Sequence, residues 1–396
     1  MDPGEDESGI ATLRDDPVPG ISGSERAGMY RMHPPFTTER VRALTLSAHG
    51  GIEQLVLRDD LPTPILTSAT DVRVRMGAAA LNRLDLWMLG GLPHIRITPP
   101  WIVGSDGAGV VESVGDAVTS VRVGDHVVLN PGISCRACEY CLTGDAPLCL
   151  KYGILGEHFP GTICEMLVVP ETNVVAIPER IPMTEAAAFP LASLTAWRMV
   201  VSKARVQAGE NVLIWGIGGG VALSALQICK GLGARVWVTS GSDEKLVRAR
   251  ALGADETLNH STLDVGREVR ARTGKRGVDV VIDSVGEKTW GQSLGALGKR
   301  GRLVTCGGTS GPMVQTDVRR LFWNQWTIMG STMGNEAEFA AVTAQFAAGR
   351  LHAIVDSVHP MERAADAYER LQSGGQFGKV VVAISDTVGA APRVGA

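Results

Sequence analysis

Positive charge is scarce in this chain. Its 38 lysines and arginines are outnumbered by 42 aspartates and glutamates, for a net charge of −4 at pH 7. No basic field exists to hold a phosphate backbone by counterion release, so a nucleic acid partner is not expected. Long apolar runs are also missing. None reaches the ~20 residues a helix needs to cross a bilayer, and no membrane partner is expected. The N-terminus lacks the cationic start and apolar centre of a secretory signal. Instead residues 1–40 carry Asp2, Glu5, Asp6, Glu7, Asp15 and Asp16 among Gly, Ser and Pro, which reads as a mobile acidic extension. The seven cysteines are too few and too clustered for a disulfide framework, and a reducing cytoplasm fits them better. Aromatics make up 5% of the chain while glycine occurs 48 times. That balance suits many tight strand-to-helix turns and a backbone that comes close to a ligand.

What is present is a long chain with two textures. At 396 residues it exceeds the roughly 250–300 at which a single core stops growing, so two units are expected. From residue 41 to about 169, alternating segments with Gly and Pro punctuation predict strands at 55–58, 71–76, 107–111 and 126–129, an all-β body of barrel kind. After Pro190 the texture changes. Apolar strands predicted at 211–215, 235–239, 278–283, 301–306 and 327–330 alternate with helical stretches, one of them over 221–232. Such alternation reads as βαβ units on a parallel sheet, which makes the fold class α/β. A helical pattern over 336–348, a strand at 354–358, a second helical pattern over 362–371 and a strand at 379–383 follow. Periodicity alone allows them either to extend the parallel sheet or to return to the first unit. Residues 386–396 form a small, polar tail.

Two local motifs carry chemistry. Cys135, Cys138, Cys141 and Cys149 form C-x2-C-x2-C-x7-C in a lobe spanning residues 132–150. Four thiolates on short spacers suit one tetrahedral Zn2+ and leave no coordination position open, so this metal is expected to be structural. The rival is an iron–sulfur cluster, which also uses such spacers. The second motif is Gly216, Gly218, Gly219, Gly220 and Val221, placed after a predicted strand and opening a helix, where backbone N–H groups and the helix dipole meet a pyrophosphate. The next strand ends at Ser240 rather than at the Asp or Glu that binds the ribose hydroxyls of NAD. With Ser242 and Lys245 nearby as donors, NADP(H) is the expected cofactor. Ser242 also suits a plain helix N-cap, and Lys245 a solvated helix position.

These motifs, with Gly104-Ser105-Asp106-Gly107-Ala-Gly109, Val123-Gly124-Asp125-His126-Val127 and Gly378-Lys379-Val-Val, resemble the medium-chain dehydrogenase/reductase superfamily over roughly residues 41–383. The resemblance implies a GroES-like β-barrel domain over 41–190 that carries the zinc lobe. It further implies a Rossmann NADP-binding domain over 191–334, a C-terminal return over 335–385 and a homodimer joined along the Rossmann sheet edge near 327–330. Zinc alcohol dehydrogenases of this superfamily hold a second, catalytic zinc. Asn82 stands where their first cysteine ligand does, Ser105 and Asp106 where a His-Glu pair does, and Leu191 near the last cysteine. One carboxylate cannot hold that metal.

The chain is instead similar to the quinone oxidoreductase and enoyl reductase branches, which imply hydride transfer from NADPH to a quinone or to the β-carbon of an enone, enal or enoyl thioester. Those branches usually lack the cysteine lobe. The resemblance puts Asn82 and Asp85 at the cleft, where backbone turn bonding is their other reading, and Trp87 at the pocket wall or in the core. Tyr152 and His158 follow the zinc lobe and are candidate proton donors, with His94 a weaker one. Cofactor contacts fall at Thr195, Cys306, Gly307 and Ser331. Asp283 suits either a ligand edge or a helix N-cap. Competing functions are an alcohol dehydrogenase and an NADPH-binding protein without turnover.

Overall fold

The computed structural model describes residues 36–92 and 95–385. Most of the acidic extension, His94 and the tail 386–396 lie outside the described residues. Residues 36–40, expected in the extension, belong to the strand Phe36–Leu46, which pairs antiparallel with Leu55–Pro64.

The β half contains a three-stranded sheet and a seven-stranded sheet. The latter centres on Asp71–Ala80, flanked by Asp106–Val114 and Lys379–Ala383, with Met166–Pro170 also pairing on it. Val72, Val74 and Met76 alternate into one core. The far end of the strand reads Gly77-Ala-Ala-Ala80 because the helix Met183–Ala188 lies against it: a Cβ on Gly77 would sit 3.0 Å from Met183 Cγ. Lys379–Ala383 pairs antiparallel with Asp71–Ala80 and parallel with Val355–Pro360, so the C-terminal segment returns to the first sheet.

Six parallel strands form the second layer, in the spatial order Glu256–Asn259, Arg235–Ser240, Asn211–Ile214, Val278–Asp283, Leu297–Thr305 and Thr327–Gly330. Their side chains alternate between two buried faces: Val212, Ile214, Val236, Val238 and Val280 enter one core, Leu213, Trp215, Trp237 and Val281 the other. Burial on both faces is why these strands read as unbroken apolar runs. The fold is a GroES-like domain joined to a Rossmann sheet. Chain order reverses between Asn211–Ile214 and Val278–Asp283, and the crevice beyond the carboxyl ends of these two strands is where such sheets bind ligands. Helix Pro190–Trp197 packs against helix Gly220–Gly231 at that crevice. Among the described residues no helix is long and apolar enough to cross a membrane.

Candidate active site

The glycine turn follows strand Asn211–Ile214. Gly216 and Gly218 have φ of 71° and 118°, values that a side chain would strain. The turn is tied down on both sides: Ile217 N donates to Thr239 O at 2.8 Å, and Gly378 N to Gly218 O at 2.9 Å. Gly219 is the N-cap of helix Gly220–Gly231, and Val221 lies in its first turn. Three cations gather around Gly374 and Gly375 beside this turn, one of them, Arg370, already paired with Asp356 at 2.9 Å. Lys245 Nζ donates to Gly374 O at 2.8 Å, Arg83 Nη2 lies 3.7 Å from where a Cβ on Gly374 would be, and Arg370 lies by Gly375. Burial, with the like charges of Arg370 and Arg83, holds the Lys245 ammonium below its ordinary range. Lys245 is the member of this set that lies against the glycine turn, its Nζ 3.6 Å from where a Cβ on Gly218 would be.

Ser240 and Ser242 are drawn into capping. Ser242 N donates to Ser240 Oγ at 3.1 Å, and Ser242 Oγ accepts from Lys245 N at 3.4 Å. Asp243 is held aside by Asn259 Nδ2 at 2.7 Å. Thr195 Oγ1 is committed to Leu191 O at 2.7 Å. Cys306 and Gly307 follow strand Leu297–Thr305 at the carboxyl edge of the sheet, and burial pushes the Cys306 thiol up to about 12. Ser331 follows the neighbouring strand, with its Oγ buried and without a hydrogen-bond partner among the described residues. Asp283 is a buried acceptor and not the N-cap of the following helix, which is Gly286: Val285 N, Gly286 N, Thr289 Oγ1 and Ser293 Oγ all donate to it.

Opposite the turn, Asn82 is the N-cap of helix Arg83–Gly90, and its N–H donates to Asp85 Oδ2 at 2.6 Å. Burial raises the Asp85 carboxyl to about 7 against the pull of the Asn82 N–H and Lys379. Asp106, fully buried, accepts from Leu191 N at 2.6 Å through Oδ1. Its Oδ2 accepts from Asn82 Nδ2 at 2.8 Å and from Lys379 Nζ at 2.7 Å. Asn82, Asp85 and Asp106 thus lie together, joined by Lys379, which the sequence shows only as part of the Gly378-Lys379-Val-Val motif. Both oxygens of Asp106 are engaged, an ammonium lies against one, and Asn82, Ser105 and Leu191 provide neither thiolate nor imidazole. This donor set does not fit a catalytic zinc. Trp87 on the same helix is 40% exposed, so it is not a core residue.

The cysteine lobe does fit a metal. The four Sγ atoms lie within 4.8 Å of one another. Cys135 and Cys141 are 3.9 Å apart, and Cys138 and Cys141 3.6 Å, close to the ~3.8 Å edge of a tetrahedron with Zn–S bonds near 2.3 Å. Burial opposes ionisation of Cys135, but the N–H groups of Ala137 and Cys138 outweigh it and hold the thiol below its ordinary range. Among the described residues this tetrad is the one metal-competent group of three or more such side chains. The lobe docks on the dinucleotide half through buried Arg198, which pairs with Asp145 of the lobe and with Glu338 at 2.9 Å. Asn335 Nδ2 adds a bond to Gly144 O at 2.6 Å.

Tyr152 lies on this side of the molecule, its hydroxyl against Gly132 and in the field of Arg198 and Glu338. Burial pushes its phenol well above the ordinary range. His158 Nδ1 accepts from Ile154 N at 3.3 Å and lies 3.7 Å from Glu157. The loop that carries both packs on the turn leading into strand Asp106–Val114, since Gly156 abuts Gly104.

Family models match both halves of this fold. Residues 68–179 match the family model of an alcohol dehydrogenase GroES-like domain, and residues 220–348 that of a zinc-binding dehydrogenase. A zinc-type alcohol dehydrogenase-like protein of Schizosaccharomyces pombe is 33% identical over 342 residues, 84% of this chain and 96% of that one. The chain belongs to the medium-chain dehydrogenase/reductase superfamily. It is an oxidoreductase of that superfamily. The quinone oxidoreductase of Homo sapiens is 28% identical, over 86% of this chain and 97% of that one. A solved structure of an NAD-dependent alcohol dehydrogenase superposes with a TM-score of 0.84 at 42% identity, covering 87% of this chain and 100% of that one.

Proposed function

We propose that this oxidoreductase transfers hydride from NADPH to a quinone or to an activated carbon–carbon double bond in an enone, enal or enoyl thioester, with no metal at the reacting oxygen. The observation that carries this reading is the saturated Asp106 carboxylate, braced by Lys379 where metal-dependent relatives hold zinc. A nicotinamide cofactor, which the glycine turn at residues 216–221 would hold, would supply the hydride. Hydride addition to an enone puts negative charge on the carbonyl oxygen, and a preorganised donor at that oxygen is worth ~10²–10³ in rate. Asn82 is half-buried and has one amide hydrogen without a partner among the described residues, and in this reading that hydrogen is the donor to the substrate oxygen. His158 is the better candidate for the α-proton, because the buried Tyr152 phenol is too weak an acid.

NADPH is preferred over NADH because Ser240 ends the second strand without a carboxylate, and Lys245 supplies a cation for a 2′-phosphate. A zinc ion in the cysteine tetrad is structural in this reading. The outermost strand Thr327–Gly330, flanked by exposed Phe322 and Trp323, is the proposed seam of a homodimer. Seven cysteines, none of them in a disulfide, suit a reducing cytoplasm.

Tryptophan quenching by NADPH and NADH, followed by nicotinamide absorbance with enone, quinone and alcohol panels, tests the reading. Oxidation of NADPH by an enone or quinone and one zinc per chain are expected. Turnover of alcohols alone with two zinc ions rejects it in favour of the dehydrogenase reading. Binding without turnover favours a sensor.

A further inference from the structure

Lys379 is a buried charge to which the hydride chemistry assigns no task. It is 5% exposed, and its ammonium donates to Asn82 Oδ1 at 2.5 Å and to Asp106 Oδ2 at 2.7 Å. Asn82 Nδ2 donates to the same carboxylate oxygen at 2.8 Å. These contacts settle which way the amide faces. Turned over, Asn82 would set its NH2 against an ammonium and its carbonyl oxygen against a carboxylate, replacing two attractions by two repulsions. The amide hydrogen that remains is therefore a fixed donor. The side chain of Lys379 also crosses the start of the dinucleotide helix, for a Cβ on Gly220 would lie 3.0 Å from Lys379 Cδ. The group that orients Asn82 is thus pressed against the turn expected to hold the cofactor.

We propose that Lys379 is a positioning residue: by pinning the Asn82 carbonyl oxygen it leaves the second Asn82 N–H as the donor to the substrate's carbonyl oxygen. The inference rests on the reductase reading above. It differs from a merely structural role because Lys379 then has no effect on turnover except through Asn82.

A double-mutant cycle on the purified full chain separates the two. Asn82→Ala is expected to lower kcat about 100-fold with cofactor Kd changed less than about threefold. Lys379→Met is expected to lower kcat at least tenfold, and the double variant to be no slower than Asn82→Ala alone. Lys379→Arg, which keeps cation and donors, should recover most of the rate. Multiplicative losses, or an unchanged kcat in Lys379→Met, overturn the proposal. If Lys379→Met does not fold, because Asp106 is left as an unpaired buried charge, Lys379→Met with Asp106→Asn replaces it, compared with and without Asn82→Ala. The cycle uses whichever substrate class turns over, so alcohol-only activity rejects the reductase reading while the coupling is still measured. With no turnover, the same cycle is run on the binding of a saturated ketone to the cofactor complex, read by nicotinamide fluorescence, and absence of such binding overturns the proposal.

Discussion

Gly220→Ala sets two opposing effects against each other at the cofactor turn. Alanine for glycine in a helix gains up to about 1 kcal/mol from propensity, less in a first turn. Against this, the new Cβ would lie 2.9 Å from Ala192 Cβ and 3.0 Å from Lys379 Cδ. Ala192 Cβ is fixed to the backbone of the buried helix Pro190–Trp197 and cannot swing aside. Relief requires the two helices to part, or Lys379 to leave Asn82 and Asp106. Overpacking of this kind costs about 1–3 kcal/mol, so the clash outweighs propensity and a net loss of about 1–2 kcal/mol is expected. At roughly 2–4 °C per kcal/mol, scanning fluorimetry should show Tm lower by a few degrees, with weaker dinucleotide affinity. Gly219→Ala is the control. Its Cβ meets nothing nearer than Gly216 O at 3.7 Å, and its φ of −81° is open to alanine. A Gly220→Ala protein as stable as the parent, with unchanged dinucleotide affinity, would refute the packing argument.

Three further outcomes follow from the site. The buried Asp85 carboxyl, raised to about 7, favours the native state in its protonated form. Its contribution to stability is complete below about pH 4 and is lost as pH rises through 7. Asp85→Asn keeps an acceptor for Asn82 N and should flatten Tm between about pH 5 and 8; a slope equal to the parent's would reject this. Cys138→Ser should lose bound zinc and several degrees of Tm before it loses the hydride step, and intact folding with abolished turnover would show that the metal is catalytic. Arg198→Met leaves Glu338, 9% exposed, without its cation, a loss of about 3–5 kcal/mol. Glu338→Gln in the same chain should restore part of it in denaturant unfolding, and no recovery would mean that the pair is not the cause.

The parallel sheet was legible because strands buried on both faces need apolar residues at every position, and the two motifs because their spacing is local. What failed to show in sequence depended on long-range contact. The C-terminal strand Lys379–Ala383 is an apolar run like those of the parallel sheet, so its pattern cannot say which sheet it joins. Helix Arg83–Gly90, half exposed, has little apolar stripe to announce it. Leu55–Pro64 runs well past its apolar start because Asp59, Asp60 and Pro62 sit on a strand open to solvent, where alternation is not required. Arg198 gave no signal at all, since its partners Asp145 and Glu338 are 53 and 140 residues away.

The same distance hides Lys379, which lies 273 residues from Asp106. Its position is nevertheless tightly determined. Gly378 has φ of 120° and approaches Ile354 O so closely that a Cβ would lie 2.4 Å from it. Its N–H is committed to Gly218 O, and Lys379 N to Ile354 O at 2.8 Å. The backbone therefore delivers the ammonium to one place. A buried ion pair there is a weak source of stability, because desolvation offsets most of the attraction. What the ion pair does supply is orientation: a fixed charge behind Asn82 keeps a neutral amide facing one way, which an apolar packing of the same volume would not do.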